Sequence, residues 1–151
     1  MSPEAKERLI SQIKIDEGTI YETYICPLGH LTFGVGHLIL ESDPEHGQEA
    51  GTPVSEDRVN EALAKDIDIT IAECAALYDN WDDLPDECQE ILANLMFNIG
   101  RTRLAGFKKL NAAIAEKDYI TASKEMVDSR WYQQVGNRAI RLVARMETLG
   151  I

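Results

Sequence analysis

The stretch Asp16-Glu17-Gly18-Thr19-Ile20-Tyr21-Glu22-Thr23-Tyr24-Ile25-Cys26-Pro27-Leu28-Gly29-His30-Leu31-Thr32-Phe33-Gly34-Val35-Gly36-His37 decides the fold class. Just upstream, Ser2-Pro3-Glu4 offers an N-cap, a proline at the first helical position and a first-turn acid. Leu9, Ile10 and Ile13 then make one apolar stripe, and Gly18 ends the helix directly after Glu17. From Tyr21 to Leu40 the period shortens. Tyr24, Leu31, Phe33 and Val35, interrupted by Pro27-Leu28-Gly29 and by Gly34 and Gly36, predict two or three short antiparallel strands. A helix thus runs into a small glycine-punctuated sheet, with Glu17 at the junction. Cys26 follows Glu17 by nine positions and Thr32 follows Cys26 by six.

Residues 41–54 read as loop by composition. Ser55 caps the next helix, with Glu56 and Asp57 in its first turn. Val59, Leu63, Ile67, Ile71, Cys74 and Tyr78 follow at spacings of three and four. The pattern lasts roughly 24 residues, about 36 Å, enough to span a small domain and tie two lobes together. Beyond Asp82-Asp83-Leu84-Pro85 come shorter helical patterns. Cys88, Ile91, Leu92, Leu95, Met96 and Ile99 mark one, Leu110 and Ile114 another, Ala122 and Met126 a third, and Ala139, Leu142, Val143 and Met146 the last. All strands precede the later helices, so the expected class is α+β. The expected organisation is one domain over 1–151: a sheet lobe at 15–55, a connecting helix at 55–80 and a helical lobe at 80–151.

The 151 residues, 44% hydrophobic and 27% charged, suit one soluble globular domain. The charged N-terminus has no long apolar run after it, so the chain is expected to be made and kept in the cytosol. Cys26, Cys74 and Cys88 form an odd set without metal-type pairing and are expected as free thiols. Cys74 and Cys88 fall on apolar helix faces, whereas Cys26 sits in a turn beside Pro27. The net charge of −11 is uneven: residues 1–100 hold 5 basic and 21 acidic side chains (−16), and residues 101–151 hold 10 basic and 5 acidic (+5). The acidic first part argues against a nucleic-acid partner; the basic last third could face an anionic polymer, but a solvated acidic surface is the plainer reading of this charge pattern.

The spacing Glu, eight residues, Asp or Cys, five residues, Thr resembles the signature of the T-even phage lysozyme family of cell-wall muramidases, glycoside hydrolase family 24. Glu17, Cys26 and Thr32 fit it without a gap in its Cys form. The resemblance covers nearly the whole chain. It implies a two-lobed lysozyme-like fold and hydrolysis of the β-1,4 bond between N-acetylmuramic acid and N-acetylglucosamine. Glu17 would then be the general acid, working if partial burial raised its pKa. Cys26 stands where the family usually has Asp. Three readings of it stay open: base or nucleophile after ionising, orienter of water with Thr32 sharing the task, or a structural thiol. Leu95-Met96-Phe97-Asn98-Ile99-Gly100, Ala105-Gly106-Phe107 and Ser129-Arg130-Trp131-Tyr132-Gln133 also resemble family segments. They imply Leu38 and Phe97 as sugar contacts, with Asn98 and Trp131 behind them. Arg138 matches the arginine that faces the catalytic Glu, and His37 pairs structurally with Asp66. Two further family positions that bind substrate through small polar groups fall here on Leu110 and Glu125. The implied partner is bacterial peptidoglycan, attacked by a monomer needing no cofactor, metal, nucleic acid or membrane insertion. A separate pore-forming holin would release it from the host cytoplasm to the wall or periplasm.

Rival readings follow from the same residues. A lytic transglycosylase cuts this bond with one Glu, and loss of the second carboxylate favours that alternative. A Cys–His peptidase would use Cys26 with His30 or His37, but such thiols prefer helix N-termini. A non-catalytic wall-binding module is the third. A metal site from Cys26, His30, His37 and His46 lacks any standard ligand spacing.

Overall fold

A computed structural model describes all 151 residues. In chain order the elements are α1 (Pro3–Glu17), β1 (Ile20–Ile25), β2 (Leu31–Gly34), β3 (His37–Leu38), α2 (Glu56–Leu77), α3 (Asp86–Ala105), α4 (Lys108–Ala115), α5 (Tyr119–Val127), α6 (Arg130–Val135) and α7 (Asn137–Leu149). The three strands form one antiparallel sheet in the order β1-β2-β3, so the class is α+β. No helix is long and apolar enough to cross a membrane. The chain divides into two compact units, residues 10–69 and residues 1–9 with 70–151.

In the 10–69 unit the sheet lies on α2. Phe33, Val35, Val54, Val59, Leu63 and Ile67 are buried, as is Ile13 of α1. Gly34 marks the closest approach: a Cβ built there would stand 3.1 Å from Val59 Cγ1, and its φ is +66°. The 41–54 segment is loop only in part. Its last residues run along β1, with Gly51 N–H donating to Thr23 O (2.7 Å), Thr23 N–H to Thr52 O (2.8 Å) and Val54 N–H to Tyr21 O (2.9 Å). Glu22 and Pro53 form an isolated antiparallel bridge. This covers the edge of β1 that would otherwise stay open to another strand. Pro53 ends no ladder here, because the neighbouring N–H groups carry the bonds.

In the other unit α3 is the central element. Ile91 through Met96 are buried without interruption, the mark of a helix enclosed on all sides. α5 packs on α4 and α7, and α7 packs on α3 and α6. Leu104, Leu110, Ile114, Met126, Trp131, Leu142 and Met146 complete this core. Glu90 of α3 is only 3% exposed. Its carboxylate accepts two bonds from Arg8 Nε (both 3.3 Å) and one from Arg8 Nη2 (3.0 Å), with Arg145 Nη2 at 3.4 Å. A buried carboxylate holds its place only with such partners.

Several elements depart from what the sequence predicts. α6 and a 3-10 turn at Trp81–Asp83 carry no helical periodicity in sequence, because each is too short to show one. Local capping still marks α6: Ser129 Oγ accepts from Tyr132 N–H at 3.2 Å. α2 stops at Leu77, so Tyr78 lies beyond it. α3 is broken at Gly100 (φ 81°, ψ 166°), a conformation open essentially to glycine alone.

Gly34 and Gly36 separate backbone strain from crowding. Both have positive φ, but a Cβ at Gly36 would meet nothing within 4 Å. Gly36→Ala should cost about 1 kcal/mol from strain, and Gly34→Ala about 1 kcal/mol more from the contact with Val59. Urea unfolding of the two variants checks this, and equal losses would contradict it.

Candidate active site

Glu17 is the last residue of α1, and Gly18 closes the helix with φ +74° and an N–H bonded to Lys14 O at 3.0 Å. The glycine turns the chain directly into β1. Glu17 is exposed, which corrects the expectation of partial burial. It stands at a helix end, where no further helical turn follows to cover it.

Cys26 follows β1 and opens the turn to β2. Its N–H donates to His30 O (2.9 Å), and its carbonyl accepts from Gly29 N–H (2.8 Å). Hydrogen bonding from His30 N–H, opposed next by burial and then aided by Leu28 N–H, the Thr32 hydroxyl and Gly29 N–H, lowers the Cys26 thiol below its ordinary pKa. Cys74 and Cys88 show the reverse. Burial pushes both up to about 12, leaving them unreactive apolar fillers.

Thr32 is 2% exposed, and its Oγ1 donates to His30 O at 2.9 Å. A hydroxyl has one proton, so it serves either that carbonyl or an ionised Cys26 at any moment. Tyr24 pairs directly with Thr32 across the hairpin, and Leu38 pairs with Thr32 on the other side. Directly paired residues share a sheet face, so Tyr24, Thr32 and Leu38 lie together, with Leu38 half exposed (50%). Burial first, then the charges of Cys26 and Glu17, raise the Tyr24 phenol. Tyr24 thus feels both groups and stays protonated. In the sequence it shows only as an apolar strand position.

His37 of β3 bonds a carboxylate at each ring nitrogen: Nδ1 to Asp66 Oδ2 (2.7 Å) and Nε2 to Asp43 Oδ2 (2.8 Å). Asp43 also accepts from Leu40 N–H (2.8 Å) and Arg58 Nη2 (3.2 Å), and Arg58 grips Glu45 with Nε and Nη2, both at 2.9 Å. The guanidinium lies 5.3 Å from the Phe33 ring centre. The resemblance implies Asp66, whereas nothing in the sequence points to Asp43, Arg58 or Glu45. No periodic pattern leads from a loop carboxylate to a histidine six residues earlier. No three His, Cys, Asp or Glu side chains are arranged to hold a metal ion.

The remaining predicted residues belong to the helical unit. Phe97 is half-buried on α3. Asn98 Oδ1 accepts from Trp131 Nε1 at 2.7 Å, and Trp131 is buried. Arg138 is buried at the start of α7, with Nε donating to Asn94 Oδ1 at 2.8 Å. Asn94 carries no signal in the sequence, since a polar residue inside an apolar run offers no sign of its partner.

The His37 pair gives a signed pH dependence. The hydrogen bond to Asp66 first, then that to Asp43, raises the His37 pKa against the lowering effect of burial. The stabilisation is therefore complete below the unfolded value of about 6.5 and is lost as pH rises through the folded value. The stability advantage of the wild type over His37→Gln should be largest near pH 6 and shrink above it. Thermal unfolding across pH checks this; an advantage that grew with pH would contradict it.

The phage lysozyme family profile matches residues 14–148. The chain is 28% identical to probable T4-type lysozyme 1 of Dictyostelium discoideum, an alignment covering 90% of this chain and 91% of the relative. Probable T4-type lysozyme 2 of the same organism is 27% identical, with 93% and 94% covered. The pre-baseplate central spike protein Gp5 of Enterobacteria phage T4 is 25% identical over 95% of this chain but only 29% of its own length. With the matched region holding Glu17, Cys26 and Thr32 as well as the sheet and all the helices from α2 to α6, the chain belongs to the phage lysozyme family.

Proposed function

We propose that the protein is a lysozyme-type hydrolase that cleaves the β-1,4 bond between N-acetylmuramic acid and N-acetylglucosamine in peptidoglycan, and so lyses the host cell. The observation that carries this reading is the match to the phage lysozyme family over residues 14–148, a region that holds Glu17, Cys26 and Thr32 at the motif's spacing. Glu17, exposed at the end of α1 in the free protein, gives its proton to the glycosidic oxygen once bound sugar covers it, as the bond to the anomeric carbon breaks. Water attacks that carbon, and the Cys26 thiolate takes the water's proton, leaving Glu17 as carboxylate and Cys26 as thiol. Returning one proton from Cys26 to Glu17 through solvent restores the starting state. Thr32 assists by favouring the ionised sulfur. Leu38 and Phe97 contact the sugars, and Asn98, Trp131 and Arg138 brace the helical unit around Phe97. The names of the Dictyostelium relatives support the activity. The enzyme works as a monomer without cofactor, reaching the wall from the host cytoplasm through a separate holin.

Removing the proton donor tests the core of this reading. Glu17→Gln should lower turnover on purified peptidoglycan by about 10²–10⁴, the usual worth of general acid catalysis. Near-wild-type turnover would sink the proposal. The products separate hydrolysis from the one-Glu alternative: hydrolysis adds one water to each cleaved chain, and a transglycosylase adds none. Mass analysis should find reducing muramic ends; anhydro-ended products would establish the transglycosylase. Cys26→Asp should keep or raise activity near neutral pH, since a carboxylate is fully ionised there. Cys26→Ala should lose most of it, and full activity in that variant would make the sulfur a spacer.

A further inference from the structure

Asp66 is the partner that the family resemblance implies for His37, but in this chain a second carboxylate meets the ring from its other nitrogen. Nδ1 stands 2.7 Å from Asp66 Oδ2 on α2, and Nε2 stands 2.8 Å from Asp43 Oδ2 in the segment after β3. Both contacts are hydrogen bonds only while the ring is an imidazolium, with a proton on each nitrogen. A neutral imidazole has one N–H and one lone pair. The lone pair would then face a carboxylate oxygen at hydrogen-bond distance with no proton between them. One contact must open.

The surroundings decide which. Asp66 stands on a 22-residue helix, and its hydrogen bond does most to hold the ring's pKa up. Asp43 stands on a connecting segment and has another partner to turn to, since its Oδ1 accepts from Arg58 Nη2 at 3.2 Å. The other groups around the ring stay in place. Arg58 binds Glu45 through Nε and Nη2 and Glu61 through Nη1, and the Phe33 ring lies 5.0 Å from that of His37, centre to centre. The neutral ring therefore keeps its proton on Nδ1 for Asp66, and Nε2 releases Asp43. The released oxygen, Oδ2, also accepts from Leu40 N–H at 2.8 Å, so turning from the ring takes it from that amide too. The turn it leaves, with Asp43 N–H on Leu40 O at 3.0 Å, lies two residues beyond Leu38.

We propose that His37 and Asp43 form a proton-operated latch on the segment after β3: closed while the ring is charged, open once it is neutral, with Leu38 held firmly only in the closed state. The latch would set affinity for the glycan as pH changes, a consequence that rests on reading Leu38 as a sugar contact. The catalytic groups Glu17 and Cys26 take no part in it.

Two measurements on the intact protein test the latch without any substrate. NMR of the His37 ring nitrogens reports the proton directly. Hydrogen exchange of the Leu40 amide, corrected for the intrinsic rate at each pH, reports the turn. Leu40 protection should fall roughly tenfold as His37 loses its proton, the scale set by one hydrogen bond to a charged group. His37→Gln has no titrating ring, so the step should vanish. Asp43→Asn removes a charge from beside the ring, so the ring should titrate at lower pH. Protection unchanged through the ring's titration would overturn the proposal, as would a step that persists in His37→Gln or one centred about pH 4, where carboxylates titrate. On peptidoglycan, KM should rise through the ring's titration in the wild type and not in His37→Gln; an equal rise in both would break the link to Leu38. A protein that cleaves no glycan would defeat the hydrolase reading alone, because ring titration and exchange need no turnover.

Discussion

The β1–β2 turn carries Cys26, and the chemistry proposed for the chain depends on what that turn does to its thiol. Cys26 N–H and the His30 carbonyl pin the turn at 2.9 Å, and Thr32 Oγ1 reaches the same carbonyl from the start of β2. This leaves the N–H groups of His30 and Leu28 to favour the thiolate. A free thiol is a poor base at neutral pH, because only a few per cent is ionised. Hydrogen bonding within the turn lowers this thiol, which is the direction a base needs. Thr32 is buried, and its single hydroxyl proton ties the start of β2 to the His30 carbonyl of the same turn.

The scaffold serves that turn. The segment 51–54 covers the outer edge of β1, and the clamp of His37, Asp43 and Arg58 fixes the start of the same connection. Gly34 lets β2 approach α2 closely enough for Phe33 and Val59 to be buried together. The sheet has only three short strands, and small sheets need such cover to persist. Asp43 has two roles, closing its own turn through Leu40 N–H and anchoring His37. Loss of either contact would loosen the strand that carries Leu38.

Much of this architecture is legible in the amino-acid sequence alone. The N-cap at Ser2, the stop at Gly18 and the cap at Ser55 are local chemistry, and the helices begin and end there: Ala5 N–H and Arg58 N–H find the two serine hydroxyls at 3.1 Å. The glycine-broken period of 21–40 marks the hairpin for the same reason. What the sequence hides depends on separation along the chain. Asp43 looks like any loop carboxylate, and only the fold brings Arg58 and His37 to it. α6 has six residues, too few to repeat an apolar stripe. Glu17 is expected to be partly buried because catalytic acids usually are; its place at a helix end leaves it exposed. The thiolate-favouring turn is hidden too, since Pro27-Leu28-Gly29 announces a turn but not where its N–H groups point.

The most direct test is the ionisation of Cys26 in the intact protein. Alkylation rates followed across pH report it without interference, because burial holds Cys74 and Cys88 at about 12. The midpoint should lie below that of an ordinary thiol and move upward in Thr32→Val. A midpoint at or above the ordinary thiol value, unmoved by Thr32→Val, would contradict the role given to the turn.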